Sequence, residues 1–226
     1  MPEGTPGRPL RLAHRGDWRR APENTLGAFA AAMTVPGCDG VELDVRLARN
    51  GVPVILHDET LARVQRRPER VDALPAEALG QAGIPTLAAT LSALPADAFV
   101  DVELKGDDHG ALTADVLLAA RGPSGVRAVV SSFDAPTLLS IGERLQGWRR
   151  WLNTEDLAPQ TLSLAVGLGC SGVSVLWGRI TPRDLRVARD AGLDVAAWTV
   201  RRSATFERLG RLGVVACCVE AAALEG

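Results

Sequence analysis

The sequence predicts an α/β fold, a single-domain (β/α)8 TIM barrel. Short apolar, β-rich runs alternate with Ala/Leu/Arg-rich stretches of helical pattern, and that alternation calls for crossover connections and a parallel sheet. Eight such units fit into 226 residues, the count of a closed barrel. The residues that carry chemistry fall at or just after the C-terminal ends of the expected strands, the face on which such barrels build their sites. A doubly wound open sheet is the alternative that periodicity leaves open.

The expected strands are 11–14, 40–45, 99–104, 126–131, 148–152, 172–175, 194–199 and 214–217. Helical patterns follow at 24–33, 86–94, 111–120, 135–145, 157–166, 182–191, 204–209 and 220–224. Asn24, just after Pro22, reads as the N-cap of the first helix. Residues 58–85 are charged and Pro-bearing, show no clear element and read as an excursion at one rim. Residues 1–9 read as a flexible N-terminus ahead of one domain spanning 10–226. No repeat, linker or low-complexity tract interrupts it.

Composition narrows the partners. The chain is 46% hydrophobic and 23% charged, which fits a globular protein with a core. With 25 basic against 27 acidic residues and a net charge of −2, it lacks the electrostatic footprint of a nucleic-acid or anionic-membrane binder. No apolar run approaches the roughly 18 residues that would cross a bilayer, so no integral membrane segment is expected. No secretory signal is visible. Four cysteines, Cys38, Cys170, Cys217 and Cys218, have no metal-site spacing and read as thiols of a reducing, cytoplasmic compartment. The basic residues are lopsided: Lys105 is the sole lysine, the other 24 being arginine, and His14, His57 and His109 are the only histidines.

Four strand ends carry the chemistry. Leu12-Ala13-His14-Arg15-Gly16 offers a proton-transfer group, a fixed cation and a turn. Glu42-Leu43-Asp44 sets two carboxylates on one strand face, because residues i and i+2 project together. Side by side in a low-dielectric setting they repel, and need a cation or a shared proton. Val52-Pro53-Val54-Ile55-Leu56-His57-Asp58 closes an apolar run on a second His. Asp101-Val102-Glu103-Leu104-Lys105 puts Asp101, Glu103 and the lone lysine on one face. Together, Glu42, Asp44 and Glu103 suit one hard divalent cation, Mg²⁺ or Ca²⁺. His14 and His57 can serve as general acid and base. Arg15 and Lys105 supply positive charge beside the metal. The set fits an anionic, phosphorus-centred transition state.

His14-Arg15-Gly16, Pro22-Glu23-Asn24-Thr25, Glu42-Leu43-Asp44-Val45 and His57-Asp58 resemble the glycerophosphodiester phosphodiesterases. So do Ile84-Pro85-Thr86-Leu87, Asp101-Val102-Glu103-Leu104-Lys105, Ser132-Phe133-Asp134 and Ala191-Gly192-Leu193-Asp194-Val195-Ala196-Ala197-Trp198-Thr199-Val200. The resemblance implies a TIM barrel that hydrolyses small-molecule glycerophosphodiesters to glycerol 3-phosphate and an alcohol, a phosphoric diester hydrolase using Mg²⁺, Ca²⁺ or Mn²⁺. It implies Glu42, Asp44 and Glu103 as metal ligands, His14 and His57 as the acid/base pair, Arg15 and Lys105 as phosphate contacts, and Trp198 beside the glycerol moiety. Two places depart from the pattern. Arg201 follows Trp-Thr-Val where the family often has Asn, and Cys218-Val219-Glu220 closes the last strand where the family commonly has Thr-Asp before a Pro.

The alternatives are a lipid-directed phosphodiesterase of the same superfamily, lysophospholipase D-like or phosphatidylinositol phospholipase C-like, and a barrel that binds a phosphoryl ligand without catalysis. Other features read as structural. His109 is expected at the surface, the Arg pairs, Arg201-Arg202 among them, on solvated faces, and Trp148, Trp151 and Trp177 in packing. Cys217 and Cys218 are expected in the barrel wall, on opposite faces.

Overall fold

The computed structural model describes residues 8–106 and 110–225; most of the segment 1–9 and His109 lie outside them. The chain runs β1 (Leu10–His14), α1 (Leu26–Met33), β2 (Gly40–Leu47), β3 (Pro53–Ile55), α2 (Ala62–Gln65), α3 (Ala76–Gln81), α4 (Leu87–Ala93), β4 (Phe99–Leu104) and α5 (Gly110–Arg121). It continues β5 (Ala128–Ser132), α6 (Ala135–Arg144), β6 (Arg149–Thr154), α7 (Pro159–Gly167), β7 (Gly172–Leu176), α8 (Pro182–Asp190), β8 (Asp194–Val200), α9 (Ser203–Leu212), β9 (Ala216–Val219) and α10 (Ala222–Glu225). Eight strands pair in parallel in the order β1-β9-β8-β7-β6-β5-β4-β2, and β1 also pairs β2, which closes the barrel. The open-sheet alternative is thereby excluded. The extra strand, β3, pairs antiparallel on β2 and places His57 at the barrel mouth.

The period of two along each strand sorts the interior into layers. On β4, Val100, Val102 and Leu104 pack outward in the main apolar core with the helices. Phe99 points inward to the barrel floor with Leu10, Leu12, Val129, Trp151, Ala196 and Ala216. Trp151 stacks on Phe99 with ring centroids 6.3 Å apart. Above this dry floor the same inward face turns polar, at Asp101 and then Glu103. Helices α1, α4, α6 and α8 start where a side-chain cap satisfies a first-turn N–H: Thr25, Thr86, Asp134 and Thr181 each accept from the residue three positions on. Among the described residues, no helix is long and apolar enough to cross a membrane.

Two expectations are corrected. The first helix is capped by Thr25, not Asn24; Asn24 sits in the left-handed region at φ 58° and is buried for another purpose. The excursion 58–85 is not featureless: it holds α2, α3 and a turn of 3-10 helix at Val71–Ala73. Leu61, Val71, Leu79 and Ile84 give it an apolar cluster of its own, closed against Val54 and Leu56. Each helix there is too short to show a helical period, so packing rather than pattern defines them.

The turn after β1 aims the first site residues. Arg15 and Gly16 both have positive φ, 60° and 81°, and a Cβ on Gly16 would come within 2.6 Å of the Ala28 backbone. Gly16→Ala is expected to destabilise the protein by about 2–3 kcal/mol, read as a lower urea midpoint; an unchanged midpoint would show that α1 yields without cost.

Candidate active site

The parallel register brings the polar positions of neighbouring strands to one level. His14 lies beside Glu42, Glu42 beside Asp101, and Asp44 beside Glu103. The sequence-predicted residues therefore converge. His14, Arg15, Glu42, His57, Glu103, Lys105 and Trp198 line one open pocket of about 200 Å³, and Asp44 is fully buried beside it.

Glu42, Asp44 and Glu103 are all buried, and each offers an oxygen within 4.8 Å of the others. Burial together with mutual repulsion drives the Glu42 carboxyl well above its ordinary range. Glu103 rises for the same reasons. Asp44 goes the other way: burial opposes its charge, but Lys105 and Arg15 outweigh it and hold the group ionised. The Arg15 Nε lies 3.1 Å from Asp44 Oδ2. The Lys105 Nζ lies 3.2 Å from Asp44 Oδ1 and 2.5 Å from Glu103 Oε1. Glu42 Oε1 is buried without a hydrogen-bond donor among the described residues. An all-oxygen set with an unsatisfied buried acceptor is what a hard divalent cation takes up, so the residues fit such an ion.

Each site histidine is held by a carboxylate through Nδ1. His14 Nδ1 lies 2.5 Å from Glu220 Oε1, while its Nε2 lies 3.8 Å from Glu42 Oε2. His57 Nδ1 lies 2.7 Å from Asp58 Oδ1. Arg63, from α2 of the excursion, grips that Asp58 through Nε at 2.6 Å and reaches Glu23 with its other nitrogens. Burial opposes the charge on Asp58, but its bonds to Arg63 and His57 prevail and pull it down to about 2. Glu23 in turn accepts from Arg15 at 2.9 Å. Burial also pulls the His57 imidazole down, which favours its neutral form.

Sequence reasoning quoted Asn24, Asp101, Phe133 and Arg201 without giving them a site role. Asn24 donates from Nδ2 to Asp44 Oδ2 at 2.7 Å and accepts from the Asp44 backbone N–H, so its left-handed turn serves the carboxylate cluster. Asp101, beneath the triad, accepts from Ser131 at 2.7 Å and burial lifts it to about 7. Phe133, at the end of β5, meets Trp198 edge-on at 5.6 Å and lies under Lys105 Nζ at 5.8 Å. Trp198 is fixed by its indole N–H to Ser174 O at 2.9 Å. Arg201 is not simply solvated, since its Nε donates to Glu220 at 2.8 Å. Trp177 is 36% exposed and lies outside the pocket, its ring 6.0 Å from the Arg208 guanidinium. Cys217 joins the outer core while Cys218 faces the pocket, on opposite faces as expected. Asp58 and Phe133 stand inside quoted motifs, His57-Asp58 and Ser132-Phe133-Asp134; for Glu220 only its place at the last strand end could have pointed to it.

Asn24→Ala leaves Asp44 without a neutral donor. Removal of such an outer partner is expected to weaken Mn²⁺ binding on the order of 10–100-fold, measured by titration of the purified protein; unchanged Mn²⁺ affinity would restrict Asn24 to a backbone role.

The chain is similar to known proteins along nearly its whole length. It is 27% identical over 222 residues to a glycerophosphodiester phosphodiesterase of Caldanaerobacter subterraneus subsp. tengcongensis, covering 91% of each chain. It is 32% identical to the "Probable glycerophosphodiester phosphodiesterase 2" of Mycobacterium tuberculosis, covering 84% of this chain and 79% of that protein. The solved structure of an Oleispira antarctica phosphodiesterase in complex with its product sn-glycerol-3-phosphate shares the fold with a TM-score of 0.83 at 24% identity, over 94% of this chain and 93% of the other. The model of the glycerophosphoryl diester phosphodiesterase family matches residues 14–223, and the chain belongs to that family.

Proposed function

We propose that this phosphoric diester hydrolase cleaves small-molecule glycerophosphodiesters to glycerol 3-phosphate and an alcohol, by acid–base catalysis at His14 and His57 with a divalent cation held by Glu42, Asp44 and Glu103. The observation that carries the reading is the meeting at one pocket of two carboxylate-held imidazoles, three buried carboxylates and two half-buried cations. Binding alone needs no pair of proton-transfer groups. Family membership and the glycerol 3-phosphate in the Oleispira relative support the substrate class.

The carboxylate set suits Mg²⁺ or Ca²⁺, with Mn²⁺ also accommodated. When bound, the ion supplies a Lewis acid for a non-bridging phosphate oxygen. Arg15 and Lys105 bring fixed positive charge to the phosphate, and Trp198 packs beside the glycerol carbons. With both Nδ1 atoms engaged, Nε2 of each imidazole is the nitrogen left to move a proton. One takes it from the attacking oxygen and the other gives one to the leaving alkoxide. The activity resides in one domain, residues 10–226. Four free cysteines fit a reducing compartment, and the cytoplasm is the location proposed.

A panel of glycerophosphodiesters assayed for glycerol 3-phosphate release with Mg²⁺, Ca²⁺ and Mn²⁺ tests the reading, with a lysophospholipid as the lipid control. His14→Ala and His57→Ala are each expected to lower kcat by about 10²–10⁴-fold, and excess EDTA to abolish turnover. Full activity in either variant, or in EDTA, would sink the mechanism. Lys105→Arg is expected to lower kcat/KM at least about tenfold, because a planar fork replaces a compact ammonium seated between Asp44 and Glu103. Near wild-type turnover would make Lys105 replaceable by any cation.

A further inference from the structure

We propose that Glu220, backed by Arg201, is the positioning carboxylate of His14: it keeps the ring proton on Nδ1 and so keeps Nε2 as the nitrogen that faces the reacting phosphate. This rests on the phosphodiesterase reading of the pocket. It gives a task to the two places where the chain departs from its family's strand-end pattern, Arg201 and Glu220.

The geometry is one of a bridge. The His14 ring spans from Glu220 at 2.5 Å on Nδ1 to Glu42 at 3.8 Å on Nε2. Glu220 is 8% exposed. Its own backbone N–H donates to Val200 O at 2.9 Å, and Ala221 after it turns through φ 51°, so the side chain is presented from a fixed strand end. Its second oxygen accepts from Arg201 Nε at 2.8 Å. Burial would raise this carboxyl, but bonds and charge from His14 and Arg201 bring it down to about 2. An ionised carboxylate only accepts, so Nδ1 must be the donor. Arg201 leaves that carboxylate one orientation by occupying the oxygen not used by His14. The second imidazole is built alike: Asp58 holds His57 Nδ1, and Arg63 holds Asp58. One device comes from the excursion, the other from the ends of the last two strands, β8 and β9.

Glu220→Gln tests it, because the amide keeps the shape and reverses the logic. An amide NH₂ placed 2.8 Å from the Arg201 Nε–H would set donor against donor, so the amide oxygen turns to Arg201 and the NH₂ faces Nδ1. The ring proton is then driven to Nε2, the wrong tautomer. We expect kcat to fall on the order of 100-fold with KM changed only a few-fold. Adding Arg201→Ala frees the amide to turn and is expected to restore roughly tenfold of the loss, a rescue that a merely structural role would not give. With only three histidines, ¹⁵N-histidine labelling reads the tautomer directly at alkaline pH, the His14 signal being assigned by its loss in His14→Ala. The expected forms are Nδ1–H in the wild type and Nε2–H in Glu220→Gln. An unchanged tautomer, or a loss that Arg201→Ala deepens, would overturn the proposal. If Glu220→Gln fails to fold, Glu220→Asp keeps the charge and is expected to keep Nδ1–H; the Nε2–H form there would overturn it equally. Were the wild type to hydrolyse no glycerophosphodiester, the function would fall while the tautomer measurement still decided the role of Glu220.

Discussion

Three carboxylates buried side by side inside a barrel are the constraint on which the rest of this structure depends. Their oxygens lie within 4.8 Å of one another, and at that range two like charges in a partly buried setting repel by roughly 3–4 kcal/mol. Exposed ion pairs contribute about 0–1 kcal/mol and could not offset this. The compensation has to come from inside, and it does. Arg15 reaches Asp44 Oδ2 from the turn after β1, Asn24 donates to that same oxygen, and Lys105 sits between Asp44 Oδ1 and Glu103. The local backbone follows from that need. Positive φ at Arg15, Gly16 and Asn24 bends the β1–α1 connection so that a cation and an amide both face β2.

A second tier fixes the first. Arg15, Glu23, Arg63, Asp58 and His57 form one continuous chain of charge-assisted bonds. It ties the excursion 58–85 to the β1 turn across the mouth of the pocket. The excursion has an apolar cluster separate from the main core, closed by Ala48, Val54 and Leu56, and the ionic chain adds alignment to that packing. His57 is thus positioned by packing in one direction and by charge in the other. His14 has the barrel wall on one side and the last strand's carboxylate on the other.

Much of this was legible in the sequence, for identifiable reasons. The eight barrel strands stand close to where short apolar, β-rich runs between helical stretches placed them, because a parallel strand covered by helices on its outer face must be apolar there. Glu42, Asp44, Glu103 and Lys105 were visible because i and i+2 share a face regardless of what the rest of the chain does. What could not be read is what depends on distant pairing. Asn24 looks like a helix cap until Asp44 is placed beside it. Glu220 is 206 positions from His14, and no local pattern connects them. The short helices of the excursion lack the length for a period, so their apolar residues appear scattered until Val54 and Leu56 gather them.

The single lysine finds its physical reason in the same geometry. Arginine serves wherever one side chain must span two acceptors in a plane: Arg63 between Asp58 and Glu23, and Arg15 between Asp44 and Glu23. A planar fork suits such bridges because its donors diverge at fixed angles. At Lys105 the two carboxylates lie on adjacent strands at one level, and the ring of Phe133 lies on a further side. Only a compact ammonium with rotatable donors reaches both oxygens from a single point. A chain that uses arginine at 24 of its 25 basic positions departs from that habit where the available space is shaped for a point charge.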